Sequence, residues 1–180
     1  MKKGADWENA ISGAMTRLNT TTPHTIAKTE PPVRIVKYQE KGLFLAVFTA
    51  TGMCDFEGAY KGTPVCIEAK QISHHRFPIT LAKHNKIKAH QVERLNLTLE
   101  MRGISGLLIR FMPKDREPAA FAVPWVLRRI VMEDGMKSFC MDDLPGQGAT
   151  PIKNPAAPTA EELEGFFDLC AALARAEARR

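Results

Sequence analysis

The segment Val65-Cys66-Ile67-Glu68-Ala69-Lys70 decides the fold of this chain, because apolar and polar residues alternate along it. Successive side chains of a β-strand point to opposite faces of a sheet. The pattern therefore predicts a strand whose odd-numbered residues form an apolar face. Glu68 and Lys70 would lie together on the opposite face, on the same side as Cys66.

An acidic residue, Asp55, lies one strand and one turn before this segment, and the turn is predicted at residues 60–64. Asp55 and Glu68 can therefore converge, with the amine of Lys70 beside them. Hard oxygen ligands of this kind hold Mg²⁺, which activates water and neutralises charge on a phosphodiester. An ammonium at Lys70 would add electrostatic stabilisation of the transition state.

The same E-x-K pattern is common on exposed helices, where it carries no chemistry. Here it lies in an apolar strand, where two charges are costly without a partner or a purpose. The residues alone thus leave two interpretations open, a metal-dependent phosphodiester site and a pair of solvated surface charges.

Around this strand, the hydrophobic spacing predicts an opening helix at 6–18, a hairpin at 33–50, and a helix at 85–101. Further strands are predicted at 106–111 and 119–123, and a short helix after Pro124. Alternation of helices and strands indicates an α/β domain with a mixed sheet and a helical layer. The helix at 85–101 would be the crossover between two strands.

The last part of the chain differs in composition. Residues 145–158 are rich in glycine and proline and are interpreted as a linker. Thr159 and Glu162 form a capping box that opens a final helix, 159–180. We therefore expect a domain at 1–144, then the linker, then the helix.

The 180 residues carry a net charge of +5, and 44% of them are hydrophobic, as in ordinary globular proteins. No apolar run is long enough to span a bilayer, and a cytoplasmic location is expected. The four cysteines contain no C-x-x-C pair. Their spacing predicts free thiols and argues against a structural zinc site.

Basic residues gather in two groups, one within 28–41 and one within 74–94. Clusters of this kind favour contact with phosphates, although a solvated face has the same composition. The candidates for nucleic-acid contact are Arg34, Lys37, Lys41, Arg76, Lys86 and Lys88.

Several stretches, in order along the chain, resemble one known family: residues 55–62, Ile67-Glu68-Ala69-Lys70, Phe77-Pro78-Ile79 and His90-Gln91-Val92-Glu93. They are similar to the RecU family of Holliday junction resolvases. This family belongs to the restriction-endonuclease-like, PD-(D/E)xK group of nucleases. The similarity extends over about residues 4–144. It implies a restriction-endonuclease-like mixed sheet flanked by helices, with a projecting β-hairpin stalk at about 33–52.

The resemblance also implies roles for individual residues. Asp55 and Glu68 would bind Mg²⁺, for which Mn²⁺ could substitute, and Lys70 would stabilise the transition state. Gln91 would be a further metal ligand, and Glu8 an accessory acid near the site. The family usually has a threonine just before the aspartate, where this chain has Met53-Cys54.

For the whole molecule, the resemblance implies a homodimer that resolves four-way DNA junctions by paired nicks. Basic residues of the stalk would contact phosphates, and a branch-migration motor or a recombinase is a candidate partner. The stalk looks slightly short, and 81–88 resembles an insertion. A less selective DNA endonuclease of phage or mobile-element origin is therefore an alternative. A DNA-binding recombination accessory protein with lapsed catalysis is a further one.

Overall fold

The computed structural model describes residues 5–30, 33–38, 44–48, 54–80 and 87–177, and for 33–38, 44–48 and 177 it describes the backbone alone. The helices within these ranges are α1 (Ala5–Thr21), α2 (Ala89–Glu100), α3 (Val126–Glu133) and α4 (Ala160–Glu177). The strands are β1 (Ala27–Lys28), β2 (Val33–Tyr38), β3 (Phe44–Phe48), β4 (Phe56–Tyr60), β5 (Thr63–Ile72), β6 (Arg76–Pro78), β7 (Ile104–Phe111), β8 (Ala119–Pro124), β9 (Ser138–Cys140) and β10 (Thr150–Ile152). No helix in the described part of the chain is both long and apolar enough to cross a bilayer.

Six strands form the main sheet, in the order β1-β4-β5-β7-β8-β10. β5 and β7 pair in parallel, and the other neighbours are antiparallel. Parallel neighbours need a crossover connection, and α2 lies in that connection. The predicted mixed sheet with helical layers and the predicted crossover are both confirmed.

The strand that decides the fold enters from a two-residue turn. Lys61 and Gly62 both have positive φ, 48° and 77°, as a type I′ turn requires. The turn joins β4 to β5 and sets their register, in which Tyr60 pairs with Thr63 and Phe56 with Ile67. β5 is longer than predicted, ten residues rather than six.

The two faces of the sheet bury separate apolar layers. One layer includes Trp7 of α1, Ile67 of β5 and Phe166 of α4. The other includes Leu95 of α2, packed on strand residues such as Leu107. Burying a large apolar side chain stabilises the fold by about 1.5–3 kcal/mol. The predicted division of 65–70 into two unlike faces is thus confirmed.

Some elements differ from the predictions. α2 begins at Ala89, because the Gln91 side chain accepts a hydrogen bond from the Lys88 backbone N–H and fixes the helix start there. Residues 81–86, with Lys86, lie outside the described ones. The hairpin prediction is confirmed by β2 and β3, which are antiparallel and pair with no other described strand.

The tail contributes to the main sheet and to its core. Within 145–158, interpreted as a linker, β10 pairs with β8. α4 packs Leu163, Phe166 and Phe167 into the apolar layer shared with α1. The division into domain, linker and final helix stays a prediction.

Gly106 in β7 lies directly under α4. A Cβ at this position would meet Phe166 Cζ at 2.5 Å and the Val123 carbonyl oxygen at 2.9 Å. We expect Gly106→Ala to lower the free energy of unfolding by about 1–3 kcal/mol, because the core is overpacked. Denaturant unfolding measures this.

The matched control is Gly165→Ala in α4, where a Cβ would meet no atom within 4 Å apart from the backbone of its own helix. This variant is expected to stabilise the protein by about 0.5–1 kcal/mol, because glycine is unfavourable in a helix. Equal effects of the two substitutions would contradict the packing described for Gly106.

Candidate active site

Asp55 and Glu68 are joined through their backbones and side chains. The Asp55 N–H donates to Glu68 Oε2 at 3.2 Å, and the Ala69 N–H donates to Asp55 Oδ2 at 2.9 Å. The sequence predicted that Asp55 lies one strand before the strand that carries Glu68. In the structure Asp55 directly precedes β4, which pairs with β5. The hairpin register therefore brings the two acids together, as the sequence predicted.

Two further side chains converge on Glu68. Lys70 Nζ and Gln91 Nε2 both donate to Glu68 Oε1. Glu68 is fully buried, and 18% of the Lys70 side chain is exposed. Four of the residues predicted for the site, Asp55, Glu68, Lys70 and Gln91, are thus within one connected network.

Burial raises the pKa of Glu68 to about 8. The ammonium of Lys70 opposes this shift, while the nearby Asp55 carboxylate adds to it. Two acids this close repel each other when both are ionised. A bound cation would relieve that repulsion.

The donor set fits Mg²⁺. Both acids offer hard carboxylate oxygens, the ligand type that Mg²⁺ prefers. Asp55 and Glu68 would hold the ion, and water and a substrate phosphate would complete its shell.

Gln91 lies in the site with its oxygen directed away from Glu68. Gln91 Oε1 accepts from the Lys88 N–H, and Nε2 faces Glu68. In this orientation Gln91 positions the Glu68 carboxylate. To bind a metal through oxygen, its amide would have to rotate by half a turn. Its role as a ligand stays a prediction.

The sequence analysis missed a second cluster beside the acids. Glu57 accepts two hydrogen bonds from the Arg94 guanidinium, both at 3.1 Å. Its Oε1 also lies 4.0 Å from Cys66 Sγ. Glu57 lies two residues after Asp55, and Arg94 lies three residues after Gln91 in α2. These spacings place each residue on the same side as its predicted neighbour and could have indicated both.

Glu8, the predicted accessory acid, forms an ion pair with Lys28 at 2.8 Å. Lys28 of β1 pairs with Phe56 of β4, next to Asp55. The Thr29 N–H donates to the Asp55 carbonyl oxygen at 2.8 Å. The ion pair with Lys28 therefore links Glu8 of α1 to β1, the strand that flanks Asp55.

The predicted nucleic-acid contacts are spread over several elements. Arg76 in β6 and Lys88 before α2 are exposed. Arg34 and Lys37 lie on β2, where the backbone alone is described. Lys41 and Lys86 lie outside the described residues. Their contact with DNA stays a prediction.

A mixed sheet with helices on both faces, carrying two acids and a lysine at one strand pair, defines the restriction-endonuclease-like class of folds. Within this class, the chain belongs to the RecU family. The family model, described as Recombination protein U, matches residues 2–156.

Curated relatives agree with this assignment. The chain is 34% identical over 96 residues to a Holliday junction resolvase RecU of Staphylococcus epidermidis, covering 50% of the chain and 44% of that protein. It is 26% identical over 155 residues to the Holliday junction resolvase RecU of Oceanobacillus iheyensis, covering 81% and 75%. For that of Streptococcus mutans the identity is 24% over 151 residues, covering 81% and 74%. The chain therefore matches less than half the length of the first relative and about three quarters of the other two.

The raised pKa of Glu68 predicts a pH dependence for the stability of the metal-free protein. Between about pH 4.5 and pH 8 the folded state keeps a proton that the unfolded state has lost. The free energy of unfolding should therefore fall as pH rises through this window, by up to about 1.4 kcal/mol per pH unit. Urea unfolding in EDTA measures this.

Glu68→Gln carries no titrating proton, and we expect its stability to vary less with pH across the same window. Glu117→Gln, at an exposed carboxylate, should keep the wild-type pH dependence. Parallel curves for the wild type and Glu68→Gln would contradict the raised pKa.

Proposed function

We propose that this chain is a Mg²⁺-dependent endodeoxyribonuclease that resolves four-way DNA junctions by paired nicks. The observation that carries the proposal is the hydrogen-bonded pair of Asp55 and Glu68, with Lys70 donating to Glu68. Membership of the RecU family supports the same reaction and substrate. Mn²⁺ is expected to replace Mg²⁺, because it accepts the same oxygen ligands.

Each residue of the network has a distinct task in this proposal. Asp55 and Glu68 hold the cation, which when bound lowers the pKa of a water ligand and neutralises phosphate charge. Lys70 places its ammonium where negative charge develops on the phosphate. Gln91 keeps the Glu68 carboxylate in position, and Glu8, on the flanking helix, is an accessory acid.

The DNA would be held by phosphate contacts on both sides of the site. Arg76 in β6 and Lys88 directly before α2 are both exposed, and Arg34, Lys37 and Lys41 belong to the proposed stalk at 33–52. Lys86 precedes α2. Opposed nicks need two sites, so the active form would be a homodimer. A branch-migration motor or a recombinase in the cytoplasm is the expected partner.

One experiment separates this function from its alternatives. The purified protein is incubated with a mobile four-way junction, a nicked duplex and a linear duplex, in Mg²⁺ or in EDTA. We expect paired symmetric nicks on the junction in Mg²⁺ and no cutting in EDTA. Electrophoresis on denaturing gels maps the nicks.

Comparable cutting of the linear duplex would instead identify a less selective nuclease. Junction binding without Mg²⁺-dependent cleavage would identify an accessory protein with lapsed catalysis. Either result would overturn the proposal of junction resolution.

A further inference from the structure

Cysteine spacing argued against a structural zinc site, yet the fold brings two of the four cysteines together. Glu57 of β4 pairs with Cys66 of β5, and Cys54 lies three residues before Glu57. The two Sγ atoms and one carboxylate oxygen of Glu57 all lie within 4.8 Å of one another. Both thiols are buried, with at most 1% of either residue exposed.

We propose that Cys54, Cys66 and Glu57 form a binding site for a thiophilic divalent cation of the zinc class, separate from the Mg²⁺ pair. In a tetrahedral zinc site with sulfur and oxygen ligands, the ligand atoms lie about 3.5–3.8 Å apart. Cys66 Sγ and Glu57 Oε1 are already 4.0 Å apart. Every pair of ligand atoms lies within 4.8 Å, so an approach by about 1.3 Å at most would close the site, and water would take the fourth position.

Charge balance supports this site. When the cation binds, each thiol loses its proton to solvent, as metal coordination by cysteine requires. Two thiolates and one carboxylate then face the divalent cation and the Arg94 guanidinium, so the charges cancel. Arg94 holds Glu57 through both carboxylate oxygens, the kind of outer support that orients metal ligands.

The two sites would select different cations because their ligands differ. Thiolates select zinc-class metals, whereas carboxylates and water suit Mg²⁺. Cys54 is the neighbour of Asp55, and Cys66 lies two residues before Glu68 on the same strand. A cation between the thiols would therefore tie β4 to β5 at the point where the two acids meet.

The test is a titration of the reduced, full-length protein with Co²⁺, a spectroscopic substitute for Zn²⁺. We expect one equivalent to bind with a thiolate-to-metal charge-transfer band, to be displaced by Zn²⁺, and to persist in excess Mg²⁺. Cys54→Ser and Cys66→Ser should each lose the band. Glu57→Gln should weaken binding by at least about tenfold, the loss that follows when only an outer partner is removed. The matched controls Cys140→Ser and Cys170→Ser should keep it.

Co²⁺ binding without a thiolate band, or a band that survives in Cys54→Ser and Cys66→Ser, would overturn the proposal. If circular dichroism shows that these variants are unfolded, alkylation of the wild type decides. Zn²⁺ should then slow labelling of Cys54 and Cys66 relative to Cys140 and Cys170, as mapped by mass spectrometry. Equal labelling rates with and without Zn²⁺ would overturn it. These readouts do not depend on DNA cleavage.

Discussion

Asp55→Asn is expected to lower the rate of junction cleavage roughly 10³-fold. The cation that Asp55 is proposed to hold would supply several kcal/mol of transition-state stabilisation, and each tenfold in rate is worth about 1.4 kcal/mol. The asparagine keeps an oxygen that can accept from the Ala69 N–H, so the β4–β5 contact survives. Junction binding should be unchanged or tighter, since a negative charge is removed near the phosphates. Single-turnover cleavage and gel-shift binding in EDTA measure the two effects.

Asp142→Asn is the matched control. This substitution makes the same change from carboxylate to amide. The Asp142 side chain is 59% exposed and forms an ion pair with Arg116. We expect its cleavage rate to stay within a factor of two of the wild type, because it has no contact with the site. If Asp55→Asn cut junctions within tenfold of the wild-type rate, Asp55 would not hold the catalytic cation.

Deleting α4 by ending the chain after Pro158 is expected to abolish the native fold. The deletion removes Leu163, Phe166 and Phe167, each at most 1% exposed in the core. Truncating one buried phenylalanine costs about 3–5 kcal/mol, and a domain of this size has only about 5–15 kcal/mol in total. Near-ultraviolet circular dichroism and thermal unfolding measure the loss.

Two substitutions in α4 distinguish the contribution of its packing to stability from the contribution of its helix propensity. Phe166→Ala should cost about 3–5 kcal/mol, whereas Ala172→Gly, at an exposed position of α4, should cost about 1 kcal/mol through helix propensity alone. If the chain ended after Pro158 still unfolded cooperatively and kept native near-ultraviolet signals, the expected loss of the fold would be contradicted.

The family model ends at residue 156, so α4 supports the sheet from outside the matched region.

The sequence was most informative where the local pattern and the packing agree. Alternation in 65–70 predicted two unlike faces, because a buried strand has no other way to separate Glu68 from Ile67. The Lys61-Gly62 turn then fixed where Asp55 falls. Those two local signals were enough to bring the acids together.

Other features depend on contacts that the local sequence does not show. β6, β9 and β10 have three residues each, too few for any period to be recognised. Cys54 and Cys66 are twelve positions apart and form no C-x-x-C pair, so only the hairpin register shows that they lie together. The start of α2 depends on a hydrogen bond from the Lys88 backbone to a side chain in its first turn.

The two charged residues of β5, Glu68 and Lys70, also disfavour one kind of misfolding. If β5 slipped by one residue against its neighbours, all its side chains would exchange faces. Glu68 and Lys70 would then be buried against Trp7 and Phe166, away from Asp55 and Gln91, at a cost of several kcal/mol. The charges proposed for chemistry thus also make the wrong pairing of the central strands unfavourable while the chain is still folding.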